Sequence, residues 1–188
     1  GINSDYVVKI LDIGQYGGRA FVVMEYLDGG DLSGLLKKKG RLDEAETLRM
    51  ALDIAHGLEA FHSANLIHLD LKPENILIDS ATGHFKLADF GIITKRATST
   101  MPLKSEIWST LAYVPPEYFR EDAEVSPASD IYSLGVTVYQ CFTGDNPFMS
   151  ERAAVTMFRH INIQPPLLKA CGLLISPELS DLVTLLLS

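Results

Sequence analysis

Two short clusters of polar residues lie near each other in the middle of this chain. The first is His68-Leu69-Asp70-Leu71-Lys72-Pro73-Glu74-Asn75, and the second, after a strand-like run and a turn, is Asp89-Phe90-Gly91. Together they supply two carboxylates, an ammonium and a carboxamide. Asp70 can orient a hydroxyl and take up its proton, and Lys72 can offer positive charge to a phosphate. Asn75 and Asp89 carry oxygen atoms of the kind Mg2+ prefers. Phe90 suits an inward-packing role, and Gly91 permits backbone angles that other residues resist. Phosphoryl transfer from a metal-bound nucleotide needs such a set, because it asks a protein for alignment and charge neutralisation more than for covalent help. Either cluster alone is a weak signal. Both in this order, with a strand pair between them, form a specific one. His68 reads as a packed core histidine, and Glu74 as a structural or peptide-contacting residue.

The elements that must hold these residues are legible from hydrophobic pattern. Val7 to Gly14 and Arg19 to Tyr26 are β-rich runs joined by Gln15-Tyr16-Gly17-Gly18, which predicts a hairpin. Asp31 stands where an N-cap belongs, before a short helix over Leu32 to Lys38. Asp43 with Glu46 forms a capping-box-like start to a helix ending near His62. Leu48, Ala51, Leu52, Ala55, Leu58 and Phe61 recur along it at helical spacing, as a core stripe would. Ile76 to Ile78 and Phe85 to Ala88 read as short strands. Residues 89 to about 117 show no sustained period and read as a long loop, which in a compact domain points to function. Ser129 to Phe142 is apolar almost all round, as in a buried helix. Helix-like pieces over Glu151 to His160 and Pro177 to Leu187 follow. The fold class is therefore α+β, mainly helical.

Bulk properties narrow the function classes. The length of 188 residues suffices for one domain with a real core, and the 47% apolar and 21% charged composition is that of an ordinary globular chain. The net charge of −8 argues against a nucleic-acid partner. No run approaches a membrane span, and no signal peptide is visible at Gly1. Cys141 and Cys171 fit no metal-ligand spacing and read as two buried free thiols, consistent with a reducing, cytoplasmic setting. The pattern opens within a strand and stops within a helix, which reads as a fragment.

On these residues the chain resembles the eukaryotic-type protein kinase family, most closely its serine/threonine branch. The resemblance implies ATP and Mg2+ as cofactors and a protein bearing serine or threonine as substrate. It divides the chain into residues 1–26, the last strands of a small lobe, and residues 27–188, a large lobe. Val23-Met24-Glu25-Tyr26-Leu27 is similar to the strand and hinge behind the adenine site. Met24 would then be the gatekeeper, the backbone of Glu25 and Leu27 would bond the adenine edge, and Leu77 would form the floor. Asp31 falls where kinases place a ribose- or substrate-facing carboxylate; helix capping is the other role open to it. Thr110-Leu111-Ala112-Tyr113-Val114-Pro115-Pro116-Glu117 is similar to the end of an activation segment. There Thr110 would hydrogen-bond Asp70 and Lys72 and shape the acceptor site. Ser129-Asp130 matches the start of the buried helix, from which Asp130 would brace the catalytic loop. Thr143 to Phe148 is similar to the turn that follows.

Several departures qualify that pattern. Leu69 replaces the arginine that pairs bidentately with an activation-loop phosphate. Phosphates at Thr94, Thr98, Ser99, Thr100 or Ser105 are therefore not expected to switch activity by that route. Pro115 replaces the usual alanine. No Gly-x-Gly-x-x-Gly loop, phosphate-binding strand lysine or helix glutamate is present. The fragment alone is expected to transfer phosphate poorly, with Glu117 short of its usual arginine. A non-catalytic binding or scaffold module of the same fold is the main alternative. Leu69 and Pro115 favour it; intact Asp70, Lys72, Asn75 and Asp89 oppose it. A small-molecule phosphotransferase is a further alternative, opposed by Thr110 to Glu117.

Overall fold

The computed structural model describes residues 2–88, 111–119, 125–172 and 175–188. Strands β1 (Ile10–Tyr16) and β2 (Arg19–Met24) form an antiparallel hairpin in which Tyr16 pairs with Arg19 and Ile10 with Met24. Its turn needs positive φ, which Gly17 and Gly18 supply at 57° and 77°. The whole of β2 is exposed.

Helix α1 (Leu32–Lys39) starts at Asp31, whose Oδ1 accepts the Gly34 N–H at 2.7 Å. Helix α2 (Glu44–Ser63) starts at Asp43, whose carboxylate accepts the Glu46 N–H at 2.8 Å. The buried face of α2 is Thr47, Met50, Asp53, Ile54, Gly57, Leu58 and Phe61. The expected stripe is therefore rotated: Leu58 and Phe61 are core, whereas Leu48 and Leu52 face solvent. Alternative apolar stripes on one helix differ only in what packs against them. Here Leu32, Leu71, Ile76 and Leu87 lie on the other side of the chosen face.

Strands β3 (Ile76–Ile78) and β4 (Phe85–Leu87) form a second antiparallel pair, with Leu77 opposite Lys86. Tyr6 and Val8 extend it, exchanging backbone bonds with Leu87 at 2.8 and 2.9 Å. The linker 28–31 lies against β3. Gly29 donates to the Ile78 carbonyl at 3.1 Å, and a Cβ on Gly29 would come within 2.4 Å of that oxygen, so only glycine allows the approach.

Helix α3 (Pro127–Thr143) is the hydrophobic spine of the molecule, buried on nearly every side. Ser126 and Ser129 cap its start reciprocally, and Gly144 in the left-handed region ends it. Helices α4 (Ala153–Asn162) and α5 (Pro177–Leu186) complete the helical part. The main core joins α1, α2, β3, β4, α3 and α5; a smaller cluster joins Ala112, Tyr113, Tyr132, Val136 and Phe148. The fold is α+β. Cys141 is buried as expected, but Cys171 is exposed, with its Sγ 3.6 Å from the Tyr139 hydroxyl. The short turn over Leu168–Cys171 leaves that thiol at the surface. Among the described residues, no helix is long and apolar enough to cross a membrane.

Candidate active site

The segment 68–75 runs between α2 and β3, and one buried carboxylate shapes its start. Asp130, in the first turn of α3, is fully buried. Its Oδ2 accepts the His68 N–H at 2.9 Å, and its Oδ1 accepts the Leu69 N–H at 2.9 Å. His62 Nε2, at the end of α2, lies 2.8 Å from the same Oδ2. Leu69 adopts φ 62°, a left-handed conformation that a branched side chain resists. The loop keeps this shape because Asp130 grips the N–H groups of both His68 and Leu69. His68 is buried, with Nε2 3.0 Å from the Ala88 carbonyl, which ties the loop to the end of β4.

That bend brings Asp70 out of the core to a half-buried position. Lys72 Nζ lies 3.0 Å from Asp70 Oδ1, and both side chains are mostly shielded, at 16% and 18% exposure. A 3-10 turn over Pro73–Asn75 follows. Proline at its first position has no N–H to strand, which suits a tight entry. The turn brings Asn75 back over Asp70: its Nδ2 donates to Asp70 Oδ2 at 2.8 Å and to the Asp70 carbonyl at 2.8 Å. The carboxamide nitrogen is thus committed, and Oδ1 is the atom chemically suited to a hard cation. Ala88 N–H donates to the Asn75 carbonyl at 2.8 Å. Asp70, Lys72 and Asn75 therefore converge. Asp89, Phe90, Gly91, Thr110 and the five loop hydroxyl residues named above lie outside the described residues. Among those described, no group of three His, Cys, Asp or Glu forms a metal cluster.

A second set lines the approach from the hairpin. Met24 ends β2, half-exposed. The Glu25 N–H donates to the Lys9 carbonyl at 2.9 Å, which leaves the Glu25 carbonyl as the backbone group suited to a ligand edge. The Glu25 carboxylate pairs with Lys86 Nζ at 3.0 Å. Lys86 stands opposite Leu77 in the β3–β4 ladder, and Leu77 forms an isolated bridge with Asp31. Glu25, Lys86, Leu77 and Asp31 thus form a connected line from hairpin to helix. Leu27 is half-buried beside it. Asp31 spends one oxygen on capping.

The segment 111–119 is held from below. Asn146 Nδ2 donates to the Ala112 carbonyl at 3.0 Å, and Ser133 Oγ to the Tyr113 carbonyl at 2.8 Å. Tyr113 donates its hydroxyl to Gln140 Oε1 at 2.6 Å. Burial, reinforced by the Glu74 charge, pushes that hydroxyl above the usual tyrosine range, so it remains a donor. Glu117 is half-buried and accepts from Ser129 Oγ at 2.9 Å, so it is not left without a partner.

The sequence profile of the protein kinase domain matches residues 1–188. The chain belongs to the protein kinase family. Among known kinases, the serine/threonine-protein kinase PknL of Mycobacterium tuberculosis is 36% identical over 182 residues, covering 97% of this chain and 45% of PknL. The serine/threonine-protein kinase PknA of Corynebacterium glutamicum is 38% identical over 170 residues, covering 88% of this chain and 36% of PknA. Drp72 of Corynebacterium efficiens, also a serine/threonine-protein kinase, is 36% identical over 170 residues, covering 88% of this chain and 32% of drp72. The chain spans less than half the length of these relatives.

Sequence reasoning did not find His62, Lys86 or His160. Each acts through a partner far along the chain (Asp130, Glu25 and Tyr132), and no local pattern signals such a pairing.

Proposed function

We propose that this chain is the catalytic part of an ATP- and Mg2+-dependent protein serine/threonine kinase. In this reading residues 1–26 are the last strands of the small lobe and residues 27–188 the large lobe. The observation that carries the proposal is the convergence of Lys72 Nζ and Asn75 Nδ2 on the Asp70 carboxylate, at 3.0 and 2.8 Å. The serine/threonine-protein kinase names of the relatives support the substrate class.

Each residue then has a definable task. Asp70 orients the acceptor hydroxyl and receives its proton. Lys72 neutralises charge on the transferred phosphoryl group. Asn75, its nitrogen held by Asp70, and Asp89 would hold Mg2+ through their side-chain oxygens. Bound Mg2+ supplies charge neutralisation to the phosphates. Thr110 is the proposed bridge between Asp70, Lys72 and the acceptor. Met24, Glu25 and Leu27 would hold the adenine, with Leu77 as its floor, and Asp31 would serve the ribose or substrate. Asp130 acts one step removed, by fixing the backbone before Asp70.

The test is transfer of the ATP γ-phosphate to protein by the full-length protein, with Asp70→Asn and Asp89→Asn beside it. General-base loss predicts a fall of about 10^2- to 10^4-fold for Asp70→Asn. Equal residual activity in all three proteins would favour a binding or scaffold module instead.

A further inference from the structure

Lys86 is a cation on β4 that the proposed chemistry does not use. Its Nζ lies 3.0 Å from Glu25 Oε1 and 3.3 Å from Oε2, so one ammonium meets both carboxylate oxygens. The same Oε1 accepts the Lys9 N–H at 2.9 Å, while the Glu25 N–H donates to the Lys9 carbonyl at 2.9 Å. Glu25 therefore holds Lys9 through its backbone and its side chain together, and Lys86 holds Glu25. Both partners of the ion pair are mostly shielded, so solvent competes for it less than at an open surface.

The surroundings give that link its importance. No residue of β1 or β2 is buried, and none of residues 10–24 belongs to either core cluster. Apolar packing therefore does not set where β2 ends, and the ties nearby are polar. The Val8 N–H bonds the Leu87 carbonyl at 2.9 Å before the hairpin, and the Gly29 N–H bonds the Ile78 carbonyl at 3.1 Å after it. Between these two, the Glu25 carboxylate reaches from the end of the hairpin to β4. Strand β4 is tied in turn to the catalytic loop: two residues past Lys86, the Ala88 N–H donates to the Asn75 carbonyl at 2.8 Å. Lys86 thus stands between the backbone that would meet the base and the strand that supports Asn75. With the Glu25 N–H engaged, its carbonyl is left as an acceptor. Such a group accepts from the amino group of adenine and meets the oxo group of guanine oxygen to oxygen.

We propose that Lys86 is a positioning residue for the nucleotide base: through the Glu25 carboxylate it holds the Glu25 carbonyl where an adenine amino group can reach it. The inference rests on the nucleotide site of the kinase reading above. It adds selection of the base by a side chain that acts through Glu25.

Titration calorimetry of the full-length protein with Mg2+ and the β,γ-imido analogues of ATP and GTP reads base binding without turnover. Lys86→Met keeps the side chain's length and removes its charge. Loss of one hydrogen bond predicts about tenfold weaker binding of the ATP analogue, with the GTP analogue changed by less than about threefold. KM for dephosphorylated casein stays within about twofold of wild type. Glu25→Gln keeps an acceptor for the Lys9 N–H, removes the charge that Lys86 meets, and gives the same loss. The double variant binds no more weakly than either single, because all three break one link. The proposal is overturned by ATP-analogue binding within about twofold of wild type in Lys86→Met, by equal losses for both analogues, or by a double variant weakened about a hundredfold. A wild type with no preference for the ATP analogue also overturns it. Should Lys86→Met fail to fold, Glu25→Gln decides, and an unchanged adenine preference there overturns the proposal. A wild type that binds the ATP analogue without Asp70-dependent transfer overturns catalysis alone; one that binds neither analogue overturns the kinase reading and this inference together.

Discussion

Replacing Asp130 by alanine tests whether one buried carboxylate sets the geometry of the catalytic loop. The substitution strands the N–H groups of His68 and Leu69 and removes the partner of His62, contacts of 2.9, 2.9 and 2.8 Å. Each stranded donor costs about 1–3 kcal/mol. Leu69 also holds a left-handed conformation worth about 1–2 kcal/mol of strain, which relaxes once its N–H is released. The net expectation is a loss of about 3–5 kcal/mol, in line with breaking a buried charged contact. For a chain of this size that lowers the melting midpoint by about 6–20 °C. Activity falls further, because a shift of about 1 Å at Asp70 costs about 10^2-fold in rate. Leu69→Gly sharpens the test. In the wild-type background it removes the left-handed strain; in the Asp130→Ala background there is no strain left to remove. The double variant is therefore less stable than the sum of the singles by about 1 kcal/mol, beyond the ~0.5 kcal/mol error of additivity. Urea unfolding of the four full-length proteins measures this. Strict additivity, or an Asp130→Ala loss below about 1 kcal/mol, would refute the bracing role.

The buried His160 makes stability depend on pH. Its folded value of about 4 lies below the ordinary histidine value of 6.5, so the unfolded chain binds the proton first. This contribution is complete above pH 6.5 and is lost as pH falls from there towards 4, by about 3 kcal/mol at most. Unfolding midpoints at pH 7 and 4.5 should converge in His160→Phe; an unchanged pH slope in that variant would contradict the assignment. The two thiols should differ in reactivity. Burial pushes Cys141 up to about 12, so in native protein Cys171 should react quickly with a disulfide reagent and Cys141 only after unfolding, as peptide mapping of the labelled sites would read. The Glu25–Lys86 pair joins the hairpin to β4 with limited exposure, 27% and 14%. Lys86→Met should cost about 1 kcal/mol and raise KM for ATP more than KM for acceptor. An unchanged KM for ATP would remove Lys86 from the nucleotide side.

Local chemistry made much of this molecule readable. Asp31 and Asp43 cap helices where their types predict, because an N-cap is a contact within one turn. Gly17-Gly18 announced the hairpin for the same reason. The convergence of Asp70, Lys72 and Asn75 was legible because all three sit within one loop. The buried face of α2 was not, since Leu48 and Leu52 are as apolar as Leu58 and only tertiary packing chooses among them. Cys171 was misread because cysteine's preference for burial is an average that a surface turn overrides. The left-handed Leu69 was invisible: nothing about leucine suggests φ 62°, and the carboxylate that holds it comes from 61 residues away. His160 was hidden too, because its worth lies in an aromatic cluster assembled from four separate segments.

The most direct measurement is a structure of the full-length protein with Mg2+ and a non-hydrolysable ATP analogue. Asn75 Oδ1 should stand in the metal's coordination sphere at about 2.0–2.1 Å, with the terminal phosphate near Lys72 and Asp70. A nucleotide bound elsewhere, or a metal with no Asn75 ligand, would contradict it.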